Sequence, residues 1–210
     1  MRSYLTIDVD FWAEHKGDAQ FITNRMVSVL MWAMQQPNVL VARHHHMVTA
    51  HANKYPAHRL INIDTHSDVC TLVDEHPRRC TFDCGTWGAF VAWRGVSQFM
   101  WVNPRKDPDY GNCNWTRDRW NDALEWNSAI QLHLPATRLT PAWLKSHGPY
   151  TGISIALSPD WSDREHVEIA ESLASGAGLK INERGYGFSS DGGGLQRSRP
   201  RLLAPDEVAL

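Results

Sequence analysis

Short apolar runs alternate along this chain with longer stretches of helical periodicity. Ser3 to Val9 is mostly apolar or β-branched and predicts a buried strand. From Ala19 to Gln36 the spacing changes: Phe21, Ile22, Met26, Val29, Leu30 and Ala33 recur at helical intervals until Pro37 closes the segment. Asn38 to Arg43 predicts a second strand, Met47 to Tyr55 a short helix and Arg59 to Ile63 a third strand. Further on, Thr86 to Gly95 reads as helix, Gln98 to Val102 as a strand ending in Asn103-Pro104, and Gly152 to Leu157 as a strand before Ser158-Pro159. Ser162 and Glu165 form a capping box that would open a helix through about Ser175, with Val167, Ile169, Ala170 and Leu173 toward the sheet. Lys106 to Asn127, polar and rich in Trp, follows neither period.

Strands alternating with helices predict an α/β fold, a three-layer αβα arrangement around a mainly parallel sheet. With no internal repeat and no composition break, residues 1–184 read as one domain. Beyond it Gly, Ser and Arg dominate, with Gly192-Gly193-Gly194, so residues 185–210 are expected to form a flexible tail or lid.

Composition narrows the function classes. At 210 residues, 42% hydrophobic and 21% charged, the chain can bury a sizeable core. A formal charge of -2 gives no electrostatic case for nucleic acid or an acidic membrane as partner. Residues 1–10 lack the pattern of a signal peptide and no run suits a membrane helix, so a cytoplasmic protein is expected, with oligomerisation left open. Cys70, Cys80, Cys84 and Cys113 make no C-x-x-C pair, which argues against a zinc ribbon or a disulfide framework.

The chemistry concentrates at strand ends. Asp64-Thr65-His66-Ser67-Asp68 follows the third strand and places ligand-type side chains at i, i+2 and i+4; Asp8-Val9-Asp10 ends the first strand, and His44-His45-His46 follows the second. In an open parallel sheet, side chains at the carboxyl ends of strands converge, which would gather all three sets. Asp8, Asp10, Asp64, His66 and Asp68 with one histidine of the triplet exceed what one tetrahedral zinc requires, so two metal ions per chain are expected. Their oxygen-rich character favours Mn2+, with Fe2+, Mg2+ or Zn2+ as alternatives. Two such ions about 3.5–4 Å apart would activate a shared water for metal-assisted hydrolysis.

These motifs carry a resemblance. A strand followed by D-x-H-x-D, a strand followed by D-x-D and a strand ending in His are similar to the ligand pattern of the arginase and agmatinase (ureohydrolase) superfamily. The chain looks most like the small arginase-like peptide arginases, which convert arginine to ornithine in ribosomally made natural-product precursors. Asp83 to Trp87, Trp101 to Pro104 and Ser154 to Trp161 add to the similarity, which spans residues 3–165. The resemblance implies an arginase-like fold, two Mn2+ ions and an arginine-containing precursor peptide as partner. It also implies Asp8, Asp10, Asp64, His66, Asp68 and a triplet histidine as ligands, Asp8 and Asp64 bridging.

Departures refine that expectation. The D-x-D opens this chain rather than following the D-x-H-x-D, which implies a rearranged strand order. Arg43-His44-His45-His46 stands where Gly-Gly-Asp-His-Ser is usual; His45 is favoured as ligand, with His44 the alternative. No segment that grips a free amino acid's α-carboxylate is evident, which favours a peptide. A guanidinium needs a facing carboxylate, and Asp160 is the candidate; His76 is the candidate proton shuttle. Trp12, Trp87 or Trp161 could stack on the guanidinium or line a peptide groove.

Three rival readings compete. The N-terminal D-x-D also opens haloacid-dehalogenase-type phosphotransferases, but Trp12 is wrong for that motif and the Asp64 cluster would be unexplained. A metal-dependent amide deacetylase on the same fold needs fewer ligands. A metal-stabilised peptide-binding module would hold an arginine peptide without releasing urea.

Overall fold

Strand β1 (Ser3–Asp8) is buried along its whole length, the situation of a central strand in a parallel sheet covered on both faces. The computed structural model describes residues 1–13, 17–68, 87–88, 91, 96–105 and 128–183. Around β1 lie β2 (Val39–Ala42), β3 (Arg59–Ile63), β4 (Gln98–Asn103), β5 (Ser128–His133), β6 (Tyr150–Ala156) and β7 (Ile181–Asn182). They form one all-parallel sheet in the order β5-β4-β3-β1-β6-β2-β7.

Side-chain alternation divides the interior into two clusters. On one face Leu5, Ile7, Ile61, Ile63, Ile153 and Ile155 meet α1 (Ala19–Met34), α3 (Pro141–His147) and α4 (Arg164–Gly176) through Met26, Leu30, Leu144 and Ala170. On the other, Tyr4, Leu60, Phe99 and Trp101 pack with Val48, Trp87 and Ala52 of α2 (Thr49–Lys54). Each fully buried Leu or Ile stabilises this three-layer arrangement by roughly 1.5–3 kcal/mol of removed apolar surface. No helix among the described residues is long and apolar enough to cross a membrane.

The order of strands positions the site. After β1 the chain enters β2, beyond β6 on one side, and then returns to β3 on the other side of β1. That reversal brings the carboxyl ends of β1, β2 and β3 toward one crevice.

The first three strands lie where the sequence predicts them, within a residue or two. α1 stops at Met34, and Phe21, expected on its apolar stripe, is exposed. Asp18 caps it, accepting from Phe21 N at 3.1 Å. The expected helix from Met47 becomes a 3-10 turn (His45–Val48) leading into α2. The Ser162–Glu165 capping box does not form: Asp163 is the N-cap of α4, and Ser162 Oγ donates to Leu157 O at 2.9 Å. Competition from that carbonyl, freed where β6 ends, explains the difference. β5, α3 and β7 had no counterpart in the sequence reading. His76, Lys106 to Asn127 and the tail at 185–210 lie outside the described residues, as does most of the helix expected over 86–95.

Candidate metal centre

Local turns at three strand ends aim the ligand-type side chains. Asp8, the last residue of β1, caps a 3-10 turn (Val9–Trp12), its Oδ1 accepting from Asp10 N at 3.0 Å. At the end of β3, His66 N donates to Asp64 Oδ1 at 2.8 Å. The two turns are latched together: Thr65 N donates to Asp10 Oδ1 at 3.3 Å and Thr65 Oγ1 to Asp10 O at 3.1 Å. After β2, His44 remains extended and His45 begins the 3-10 turn that carries its ring inward.

The result is a buried cluster. Asp8, Asp10, His45, Asp64 and Asp68 are all buried, whereas the His66 side chain is 36% exposed and opens one side of the cluster to solvent. Asp8 Oδ2, Asp64 Oδ2 and Asp68 Oδ2 lie 3.0, 2.9 and 2.8 Å from His45 Nδ1. Despite those distances Nδ1 makes no aligned hydrogen bond: three acceptors surround it and none lies along its axis. His66 Nδ1 is 3.0 Å from Asp10 Oδ2 and 3.7 Å from Asp64 Oδ1.

Two ligand groups result, Asp8-His45-Asp64 and Asp10-Asp64-His66, each with donor atoms within 4.8 Å of one another. Asp64 belongs to both. Asp68 approaches the first group through His45 without being one of its mutually close members, and its Oδ2 also accepts from the indole Nε1 of Trp87. Carboxylate and imidazole donors converging on a buried point can hold a divalent metal ion, and the orphaned Nδ1 of His45 fits that use.

Electrostatics point the same way. Burial, then Asp8 and Asp64, push the Asp10 carboxyl well above the usual range; burial and Asp64 do the same to Asp68. Burial would raise Asp64 too, but the His45 and His66 imidazoles beside its oxygens hold it well below. Burial pulls His45 down, yet Asp68 and Asp8 push it well above the normal imidazole value. Hydrogen bonds to Asp10 and Asp64 push His66 up to about 11. The cluster therefore stabilises positive charge at both imidazoles.

A second layer fixes these side chains. Thr6 Oγ1 lies 2.6 Å from His45 Nε2, which ties down the far side of the ring and aims Nδ1 at the carboxylates. Ser158 Oγ donates to Asp8 Oδ2 at 2.6 Å, Asn62 Nδ2 reaches Asp64 Oδ2 at 3.4 Å, and Trp101 Nε1 donates to Asp64 O at 2.9 Å. Sequence reasoning missed these supports. A signal existed for two of them: Thr6 and Asn62 are polar residues inside apolar strands, two positions before Asp8 and Asp64 and thus on the same faces.

Of the other candidates, His44 lies outside both ligand groups, 3.9 Å from Asp160 Oδ2 and stacked on His46. Asp160 is an exposed rim carboxylate, away from the buried cluster's donor atoms. Trp12 and Trp87 are buried, Trp12 against Phe11 and Trp87 against His45, so neither offers a stacking face at the surface. Trp161 does: it is 63% exposed, edge-on to His66 at 5.4 Å between ring centres. Comparisons of this chain with protein-family models, with curated proteins and with solved structures find no match.

Proposed function

We propose that this protein is a binuclear manganese ureohydrolase, a peptide arginase that hydrolyses the guanidinium of an arginine within a precursor peptide to give ornithine and urea. The observation that carries the reading is the pair of ligand groups joined through Asp64. Charge balance is consistent with two ions. Asp8, Asp10, Asp64 and Asp68 bring four carboxylates into a buried site, and with both imidazoles neutral as metal ligands two divalent cations match the charge of the ionised carboxylates. When bound, two such ions would supply Lewis acidity and a water of lowered pKa.

The chain's own residues position the rest. Thr6, Ser158 and Trp87 hold His45, Asp8 and Asp68 at the orientations described above. His66, on the open side, faces the direction from which a substrate would enter. Beside it the exposed face of Trp161 suits a guanidinium by cation–π contact, and Asp160 on the same turn adds negative charge. A rim offering an aromatic face and a carboxylate favours a cationic substrate, which supports arginine over an acylated amine.

The test supplies Mn2+ to the purified protein with arginine-containing peptides and with free arginine. The expected result is urea release, a peptide mass lowered by urea less water, and slower turnover of free arginine. Faster turnover of free arginine removes the peptide assignment and keeps the ureohydrolase. Hydrolysis of acyl-lysine without urea would make it an amide deacetylase, and tight peptide binding with no product a binding module.

A further inference from the structure

The carboxyl edge of the sheet carries one more polar side chain that the cluster does not use. Asn103 is the last residue of β4, fully buried, and neither its Oδ1 nor its Nδ2 has a hydrogen-bond partner among the described residues. A buried amide without partners is costly to leave desolvated, and native structures seldom leave both ends of one unsatisfied.

Its position is defined by register. Ile7 pairs with Ile63, and Ile63 with Val102, so Asp8, Asp64 and Asn103 succeed one another across three neighbouring strand ends. The bond from Asp64 N to Val102 O at 3.0 Å shows that the ladder continues to this row. Neighbouring parallel strands are about 4.8 Å apart, which sets Asn103 one strand from the carboxylate shared by both ligand groups. Alternation along β4 puts it on the face of Phe99 and Trp101, the face that also holds His45's neighbour Trp87. Its backbone is pinned, since Leu134 N donates to Asn103 O at 2.9 Å. A fixed backbone with an unsatisfied amide is a preformed polar contact.

We infer that Asn103 is a substrate-binding residue whose carboxamide hydrogen-bonds the planar nitrogen-rich group of the substrate beside Asp64. The assignment rests on the ureohydrolase reading and names a contact within it. Oδ1 accepts an N–H of a guanidinium, which has donors only, and Nδ2 is then turned toward an acceptor. Urea, the product, offers both an acceptor and donors and complements both ends of the amide. In a desolvated position such a bond discriminates strongly, because a ligand lacking the matching N–H leaves the amide unpaired.

The test uses Asn103→Leu, close in volume, and Asn103→Ala, each loaded with Mn2+. The measurements are Mn2+ stoichiometry, thermal stability, and KM and kcat for urea release from N-acetyl-arginine amide. Independently of turnover, the Asn103 side-chain amide resonance is followed by NMR in the full chain loaded with diamagnetic Mg2+ in place of paramagnetic Mn2+, as N-acetyl-arginine amide or urea is added. The expected result is a KM raised about ten- to a hundredfold with Mn2+ content unchanged, and a shifted amide resonance in the wild type. Folded variants that release urea with unchanged KM, or an amide signal that stays put, would overturn the inference while leaving the ureohydrolase intact. If the wild type releases no urea the functional reading fails, and the amide resonance alone decides: a shift upholds the contact and its absence ends it.

Discussion

Replacing Thr6 with Val tests whether the His45 ring is held as a metal ligand. The two side chains are nearly the same size and both β-branched, so β1 keeps its strand preference and its packing. What disappears is the oxygen 2.6 Å from His45 Nε2. Loss of a neutral hydrogen bond costs about 0.5–1.5 kcal/mol, and leaving Nε2 buried and unpaired raises the cost to about 1–3 kcal/mol. A ring freed to rotate no longer presents Nδ1 to Asp8, Asp64 and Asp68. Outer partners of ligating histidines typically contribute about ten- to a hundredfold in metal affinity, so Mn2+ binding at the His45 group should weaken by that factor. Isothermal titration with Mn2+ reads the affinity, and thermal melting with and without Mn2+ separates it from stability. A variant that melts slightly lower yet binds Mn2+ with wild-type affinity would show that Thr6 only fills a polar gap, and the argument for His45 as an oriented ligand would be refuted.

Asp10→Asn keeps an oxygen to accept from Thr65 N but lowers the charge of the Asp10-Asp64-His66 group, so bound Mn2+ should fall from two per chain to one with the fold intact. An unchanged ratio by atomic emission would contradict the binuclear assignment. His45→Ala should abolish tight binding at its group, while His44→Ala and His46→Ala leave the metal content unchanged; the reverse ranking would move the ligand to His44. Because hydrogen bonds to Asp10 and Asp64 raise His66 to about 11, a metal must displace its proton at neutral pH, and Mn2+ affinity should climb with pH, with proton release visible in calorimetry across buffers. For stability of the metal-stripped chain the sign is opposite: the contribution of charged His66 is complete below about 6.5, its unfolded value, and disappears as pH rises through about 11. A metal-stripped chain that becomes more stable between those values would contradict the His66 pairing.

The legible part of the site follows from period and strand ends. Apolar runs located β1, β2 and β3, and the ligand-type residues directly after them needed only the rule that such ends converge. The triplet was harder, because one residue of register decides which imidazole turns inward. Here an extended His44 followed by a 3-10 turn at His45 settles it, and three adjacent histidines carry no signal for that change. β5 was missed because Ser-Ala-Ile-Gln-Leu-His mixes polar and apolar residues at an edge, and β7 because two residues are too few for a pattern. The support from Ser158 was invisible for another reason: it depends on a left-handed backbone that sequence does not announce for serine.

That backbone belongs to a wider arrangement. Among the described residues three non-glycine residues adopt positive φ, Asn38 at 58°, Asp68 at 57° and Ser158 at 45°, and the last two both touch the cluster. Each costs roughly 1–2 kcal/mol for a residue with a Cβ. Glycine would relieve that strain, but it would remove the carboxylate beside His45 in one case and the hydroxyl on Asp8 in the other. At Ser158 the surrounding bonds hold the conformation: its N donates to Arg43 O, and its carbonyl accepts from both Trp161 N and Ser162 N. The same turn that fixes the hydroxyl on Asp8 therefore also places Trp161 over His66, so the buried carboxylates and the exposed aromatic face share one strained hinge point. Strain retained where a simpler residue would fold more easily is what a sequence selected for the site, rather than for stability, would keep.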